Sequence, residues 1–196
     1  LEADYLWGRP QKLIYGWRRK MPFYSIALGA SIHMIDLIIW LKGFTPTEVI
    51  GYGSNYAMNQ HQLAFDDFHV TLFKFPDGTT AKVAAHGGGA HPHFHNVQVF
   101  GTEKSFRHDI VGAYWIDDCC PDTQPRLETA EYPAKGERGR VLKSFMSSII
   151  DNTQIPLVSS HEALSSMNVA LAADDAVREN RTKEITPYVT NAKVAK

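Results

Sequence analysis

Two β-rich runs on either side of one turn constrain this chain more than any other feature. Phe68–Phe75 reads Phe-His-Val-Thr-Leu-Phe-Lys-Phe, Thr80–Ala85 reads Thr-Ala-Lys-Val-Ala-Ala, and Pro76-Asp77-Gly78-Thr79 lies between them. Proline presets φ, aspartate bonds forward to its own backbone, and glycine accepts positive φ. The segment therefore predicts a tight antiparallel hairpin. Phe94–Phe100 alternates next, Gly101–Lys104 turns the chain into Ser105–Asp109, and Gly112–Ile116 adds another strand. Upstream, Glu48–Asn55 reads as a strand, and residues 2–7 and 12–17 read as short extended segments around Gly8-Arg9-Pro10.

Helical periodicity appears elsewhere. Pro22 breaks the chain before a helix over about 26–42, which Gly43 closes. Arg140–Asn152 carries apolar residues at 141, 142, 145, 146, 149 and 150. Ser159 or Ser160 opens a second helix through about Asn180, Lys183–Val189 reads as extended, and residues 121–137, rich in proline and charge, read as a loop. The order is strand, helix, a run of antiparallel strands, two helices, strand. That is an α+β arrangement and not alternating βαβ units. Residues 1–190 are expected to form one domain, with 191–196 a frayed tail. No phosphate-binding glycine loop is present: Gly51-Tyr52-Gly53 has Tyr56 where a third glycine would stand, and Gly87-Gly88-Gly89 runs into Ala90-His91-Pro92.

Charge and composition exclude several functions. A formal net charge of −1 gives no field that would gather nucleic acid or an anionic membrane. No apolar run is long enough to cross a bilayer. The opening Leu-Glu-Ala-Asp is not a signal peptide, and without an initiator Met the chain is expected to be a piece of something longer. The two cysteines, Cys119 and Cys120, are adjacent, so no disulfide framework exists. That fits a reducing, cytoplasmic compartment.

Three constellations carry chemistry. The segment 29–43 is apolar at 32, 34, 35, 37, 38, 39, 40 and 41, which predicts a largely buried helix with His33 and Asp36 on a shared face. His33 reads either as a proton acceptor or as a satisfied core histidine. Next, His86, His91, His93 and His95 place four of the nine histidines within ten residues. If 91–95 is extended, His91, His93 and His95 share one face. They then form the polar wall of a substrate pocket or, in the alternative, a zinc site with His86. No local Asp or Glu completes a ligand set. The third is Trp17-Arg18-Arg19-Lys20, with Lys12 and Arg9 upstream, which suits a phosphate group or a solvated edge loop.

The helix Ala30–Leu41, the Phe75-Pro-Asp-Gly-Thr79 turn, the segment Val99-Phe-Gly-Thr-Glu-Lys-Ser-Phe106 and the helix Glu162–Arg181 occur in an order that resembles one family. It is the C-terminal domain of the glucose–fructose oxidoreductase, inositol dehydrogenase and MocA oxidoreductases, and the resemblance spans roughly 2–189. It implies an open, mainly antiparallel sheet with helices on one face and a homo-oligomer, dimer or tetramer, through the other. It also implies a sugar, cyclitol or nucleotide-sugar substrate, and NAD or NADP held by an N-terminal domain absent from this chain. His33 matches the family's catalytic histidine. Asp36, His91, His93, His95, Tyr24, Arg18 and Lys12 become candidates for substrate contact. Two departures stand out. Gly29 occupies the place, four residues before the histidine, where many members carry aspartate, and the Glu-Lys-Pro motif with its catalytic lysine is missing. A non-catalytic sugar-binding or assembly role is the further alternative.

Overall fold

A computed structural model of the chain describes residues 1–130, 137, 139–151 and 153–189. Its nine strands are β1 (Glu2–Leu6), β2 (Glu48–Ser54), β3 (Phe68–Lys74), β4 (Thr80–His86), β5 (Phe94–Phe100), β6 (Ser105–Asp109), β7 (Gly112–Ile116), β8 (Arg126–Leu127) and β9 (Lys183–Glu184). They form one sheet in the order β8-β7-β6-β5-β1-β4-β3-β2-β9. The hairpin forms as the Pro-Asp-Gly turn predicts, with β3 and β4 paired antiparallel from Phe68↔His86 to Lys74↔Thr80. Asp77 holds the turn by accepting from the Thr79 N–H and hydroxyl, and it pairs with Lys42 at 2.6 Å.

One pair in the sheet is parallel. β1 lies between β4, to which it runs parallel, and β5, to which it is antiparallel. This places Tyr5 beside Ala85 on one flank and His95 on the other. Those residues are about 80 to 90 positions apart in sequence, so local patterning carries no trace of the pairing.

Helices cover one face of the sheet. α1 (Gln11–Ile14), α2 (Ile32–Lys42) and α4 (Ser160–Glu179) pack there, a π turn over Ala27–Ser31 leading directly into α2, whereas α3 (Gly139–Ile150) buries no residue. α4 buries Val169, Ala170, Ala173 and Ala176, small residues that let it lie close to β2 and α2. α2 buries Met34, Ile35 and Ile38 over Ala3, Val83 and Ala85. Gly43 ends it at φ 76, its N–H bonded to the Ile39 carbonyl.

Three expectations need correction. Residues 12–17 are not extended: Pro10 starts the helical turn of α1, and Leu13 and Ile14 enter the core from it. α2 is not buried all round, since one face suffices to cover the sheet. Trp40 is left 76% exposed on the other, and His33 and Asp36 are exposed there too. α3 shows the expected period, yet Val141, Leu142, Phe145, Met146 and Ile149 are all exposed. Residues 131–136, part of the expected loop, together with Asn152 and the expected tail after 190, lie outside the described residues.

Candidate functional site

The chemistry gathers at the end of β1. Alternation along this strand turns Ala3, Tyr5 and then Trp7 toward the helices, while Glu2 and Asp4 meet Lys82 on the other face. Tyr5 is 5% exposed and is the centre of the cluster. The His33 ring stacks on it at 5.5 Å with an interplanar angle of 20°, and the His95 and His93 rings lie 4.6 and 5.3 Å away. Trp7 extends the same surface at 5.8 Å. Three imidazoles, a phenol and an indole thus border one patch.

Gly8 makes part of this possible. It sits at φ +59, and a Cβ there would meet the Pro92 carbonyl carbon at 2.5 Å and the His93 Cα at 2.7 Å. The close approach brings the His93 ring under the end of β1, with its Nδ1 3.2 Å from the Leu6 carbonyl and 3.1 Å from the Trp7 carbonyl. Carbonyls only accept, so Nδ1 carries a hydrogen.

Electrostatics keep the bases neutral. Removal of water by packing lowers the His33 pKa below its ordinary value. Asp36 opposes that shift and His93 reinforces it. His95 falls further, to about 4, through burial first and then through His93, His33 and Arg9. Its Nε2 is shut off from solvent and has no partner among the described residues.

Asp36 does not orient the His33 ring. Its carboxylate accepts from the Ser166 hydroxyl at 2.5 Å, which ties α2 to α4. The vacancy expected at Gly29 is filled instead: a Cβ there would lie 2.6 Å from two Tyr24 ring carbons, so the Tyr24 ring takes the space of a side chain at 29. Burial pushes the Tyr24 hydroxyl up to about 12, and it too lacks a partner among the described residues. Tyr24 also lines a cavity of about 530 Å³ with Phe23, Phe65, Asp66, His69 and Asp174.

The four clustered histidines separate. β5 begins only at Phe94, so 91–93 is not a strand, and His93 and His95 alone reach the Tyr5 face. His86 pairs with Leu6 on the opposite face, packed against Phe68 at 4.8 Å. His91 bonds the carbonyl of its own neighbour Pro92 at 2.7 Å. Among the described residues no group of three or more His, Cys, Asp or Glu converges as a metal site, so the zinc alternative has no geometry behind it. Arg18 joins the cluster, 5.1 Å above Trp7, whereas Lys12 is exposed on α1. Sequence reasoning missed Tyr5 and Trp7 as site residues and named Arg9 only within the basic constellation, not among the substrate contacts. The alternation of β1 was legible, but not the strand that would flank it.

The comparisons agree with this architecture. The model of the oxidoreductase family C-terminal alpha/beta domain, that of the Gfo/Idh/MocA proteins, matches residues 4–185. No curated protein matches the sequence. Among solved structures, a levoglucosan dehydrogenase in complex with NADH superposes with a TM-score of 0.73 at 16% identity, covering 95% of this chain and 58% of that one. The UDP-N-acetylglucosamine 3-dehydrogenase of Acidithiobacillus ferrooxidans gives 0.70 at 17%, covering 91% and 53%. The myo-inositol 2-dehydrogenase of Lactobacillus plantarum gives 0.68 at 20%, covering 94% and 56%. The chain spans just over half the length of these structures.

Proposed function

The chain belongs to the Gfo/Idh/MocA oxidoreductase family as its C-terminal α/β domain, and from that premise we propose that it is the substrate-binding, base-bearing domain of an NAD(P)-dependent oxidoreductase acting on a sugar, cyclitol or nucleotide sugar. The observation that carries this reading is His33. It stands on the first turn of α2, stacked on Tyr5, exposed on one side, and held neutral near pH 7 by a lowered pKa. A neutral imidazole open to a ligand accepts a hydroxyl proton, which spares the substrate a high-energy alkoxide. His93 Nε2 and the Tyr24 hydroxyl, with Arg18, are the groups beside it that hold hydroxyls in place.

The described residues do not form a dinucleotide-binding fold. The single parallel pair, β1 and β4, is not joined by a glycine loop entering a helix. The cofactor belongs to a companion domain, where its nicotinamide would take the hydride from the substrate carbon.

A homo-oligomer through the uncovered sheet face is part of the same proposal. Tyr52, Leu72 and Phe100 are 63%, 55% and 64% exposed there, an apolar surface that a second copy would cover. A cytoplasmic setting is supported by Cys119 and Cys120, both free and exposed, while no helix among the described residues is long and apolar enough to cross a membrane.

The test is His33→Gln in a protein that carries this domain with its dinucleotide-binding companion. Turnover of a sugar substrate falls by about two orders of magnitude or more, with circular dichroism unchanged. Unchanged turnover would overturn the assignment.

A further inference from the structure

On the Trp7 side of the Tyr5 patch, two cations lack a counter-ion among the described residues. The Arg9 and Arg18 guanidinium carbons stand over one indole, 5.8 and 5.1 Å from the Trp7 ring centre, and Arg18 also lies 4.4 Å from that of Trp17. Among the described residues neither takes part in an ion pair. The Nε of each is shut off from solvent and unpartnered. Buried donors are nearly always satisfied, so two orphaned guanidinium nitrogens on one aromatic platform call for a cause.

The described residues do not supply the missing anion. Asp36 is engaged by Ser166, and Asp4 faces Lys82 on the other side of the sheet. Burial, above all, holds Tyr5 and Tyr24 in the protonated form; their hydroxyls interact with Arg9 and Arg18 respectively but bring no negative charge. Arginine cannot shed its proton, so an incoming anion satisfies these donors and their charge together. Arg9 lies over Trp7, and Arg18 over both Trp7 and Trp17, so the aromatic faces hold the two cations close together, and a guanidinium fork suits the two-oxygen edge of a phosphate or carboxylate.

We propose that Arg9 and Arg18 form an oxyanion-binding site on the Trp7 side of the Tyr5 patch, and that the molecule bound there presents a phosphate or carboxylate group instead of being a neutral polyol. The inference rests on the reading of the His33 patch as the substrate site. The oxyanion has two possible owners, a sugar-type substrate or a dinucleotide.

Titration calorimetry on the 196-residue chain at low salt tests it. The probes are inorganic phosphate, a hexose phosphate, a hexuronate, the matched neutral hexose and NADP. The anionic sugars bind at least tenfold more tightly than the neutral hexose, and the advantage shrinks as salt is added. Arg9→Gln and Arg18→Gln each remove it by tenfold or more. Arg18→Lys, which keeps the charge and loses the fork, falls in between and separates loss of the site from loss of the fold. If NADP shows the same arginine dependence and the sugars do not, the site stands and its owner is the dinucleotide. Equal binding of neutral and anionic sugars, absence of anion binding by the folded chain, or full binding by folded glutamine variants would overturn the proposal. Turnover plays no part in the readout, so a dispensable His33 would refute the base assignment and still leave the arginines judged separately.

Discussion

Gly29 shows how much one residue conceals until its neighbours are known. In sequence it reads as a carboxylate lost from a proton relay. In the fold it is room for Tyr24, whose ring lies where a side chain at 29 would begin. Gly29→Ala therefore overpacks the start of α2 and lowers stability by about 1–3 kcal/mol, even though alanine is the better helix former. In a Tyr24→Ala background the same change becomes neutral or favourable. Chemical denaturation of the two single variants and the double variant measures this coupling, and additive effects would contradict it. His33 was legible from its helix and from the resemblance. Tyr5, which orders the imidazoles around it, was not, because a tyrosine in a short strand carries no mark of the helix that will cross it.

Among the elements, α4 was the most legible. Ser159 accepts from the Glu162 N–H while the Glu162 carboxylate accepts from the Ser159 N–H, so the start of the helix is written in four residues. Ser159→Ala removes this cap and costs about 1 kcal/mol, read as a lower urea midpoint with an unchanged slope. The hairpin was equally plain, since its turn chemistry is local. The π turn over Ala27–Ser31 was not. It leaves the apolar spacing nearly intact while shifting which residue faces down, so Ser31 is buried and bonded to His69 beneath it. α3 marks the opposite limit: its periodic stripe was read correctly, yet periodicity names a face and not a partner.

At the scale of the whole molecule, the buried histidines set the response to acid. His69 is 1% exposed on β3, and burial, with His86 adding to it, lowers its pKa from 6.5 to about 4; His95 is also lowered to about 4. The unfolded chain binds these protons more readily than the folded one. Their contribution is therefore present above pH 6.5 and is lost as pH falls toward 4. For His69 the shift amounts to about 3 kcal/mol across that window. The melting temperature should fall steeply between pH 6.5 and 4, and His69→Asn should flatten that slope while lowering stability at pH 7. A flat profile would show that these rings are not held neutral. The sequence by itself determined the α+β class, the hairpin, the capped last helix and the histidine on α2, because turn geometry, capping and periodicity act over a few residues. Only the tertiary structure decided that β1 lies between β4 and β5, that His93 and His95 join His33 around Tyr5 while His86 and His91 do not, and that Arg9 and Arg18 share one indole. Those meetings join residues far apart in the chain. What selects them is the burial of whole faces, a property of the assembled sheet and helices that no short window of sequence contains.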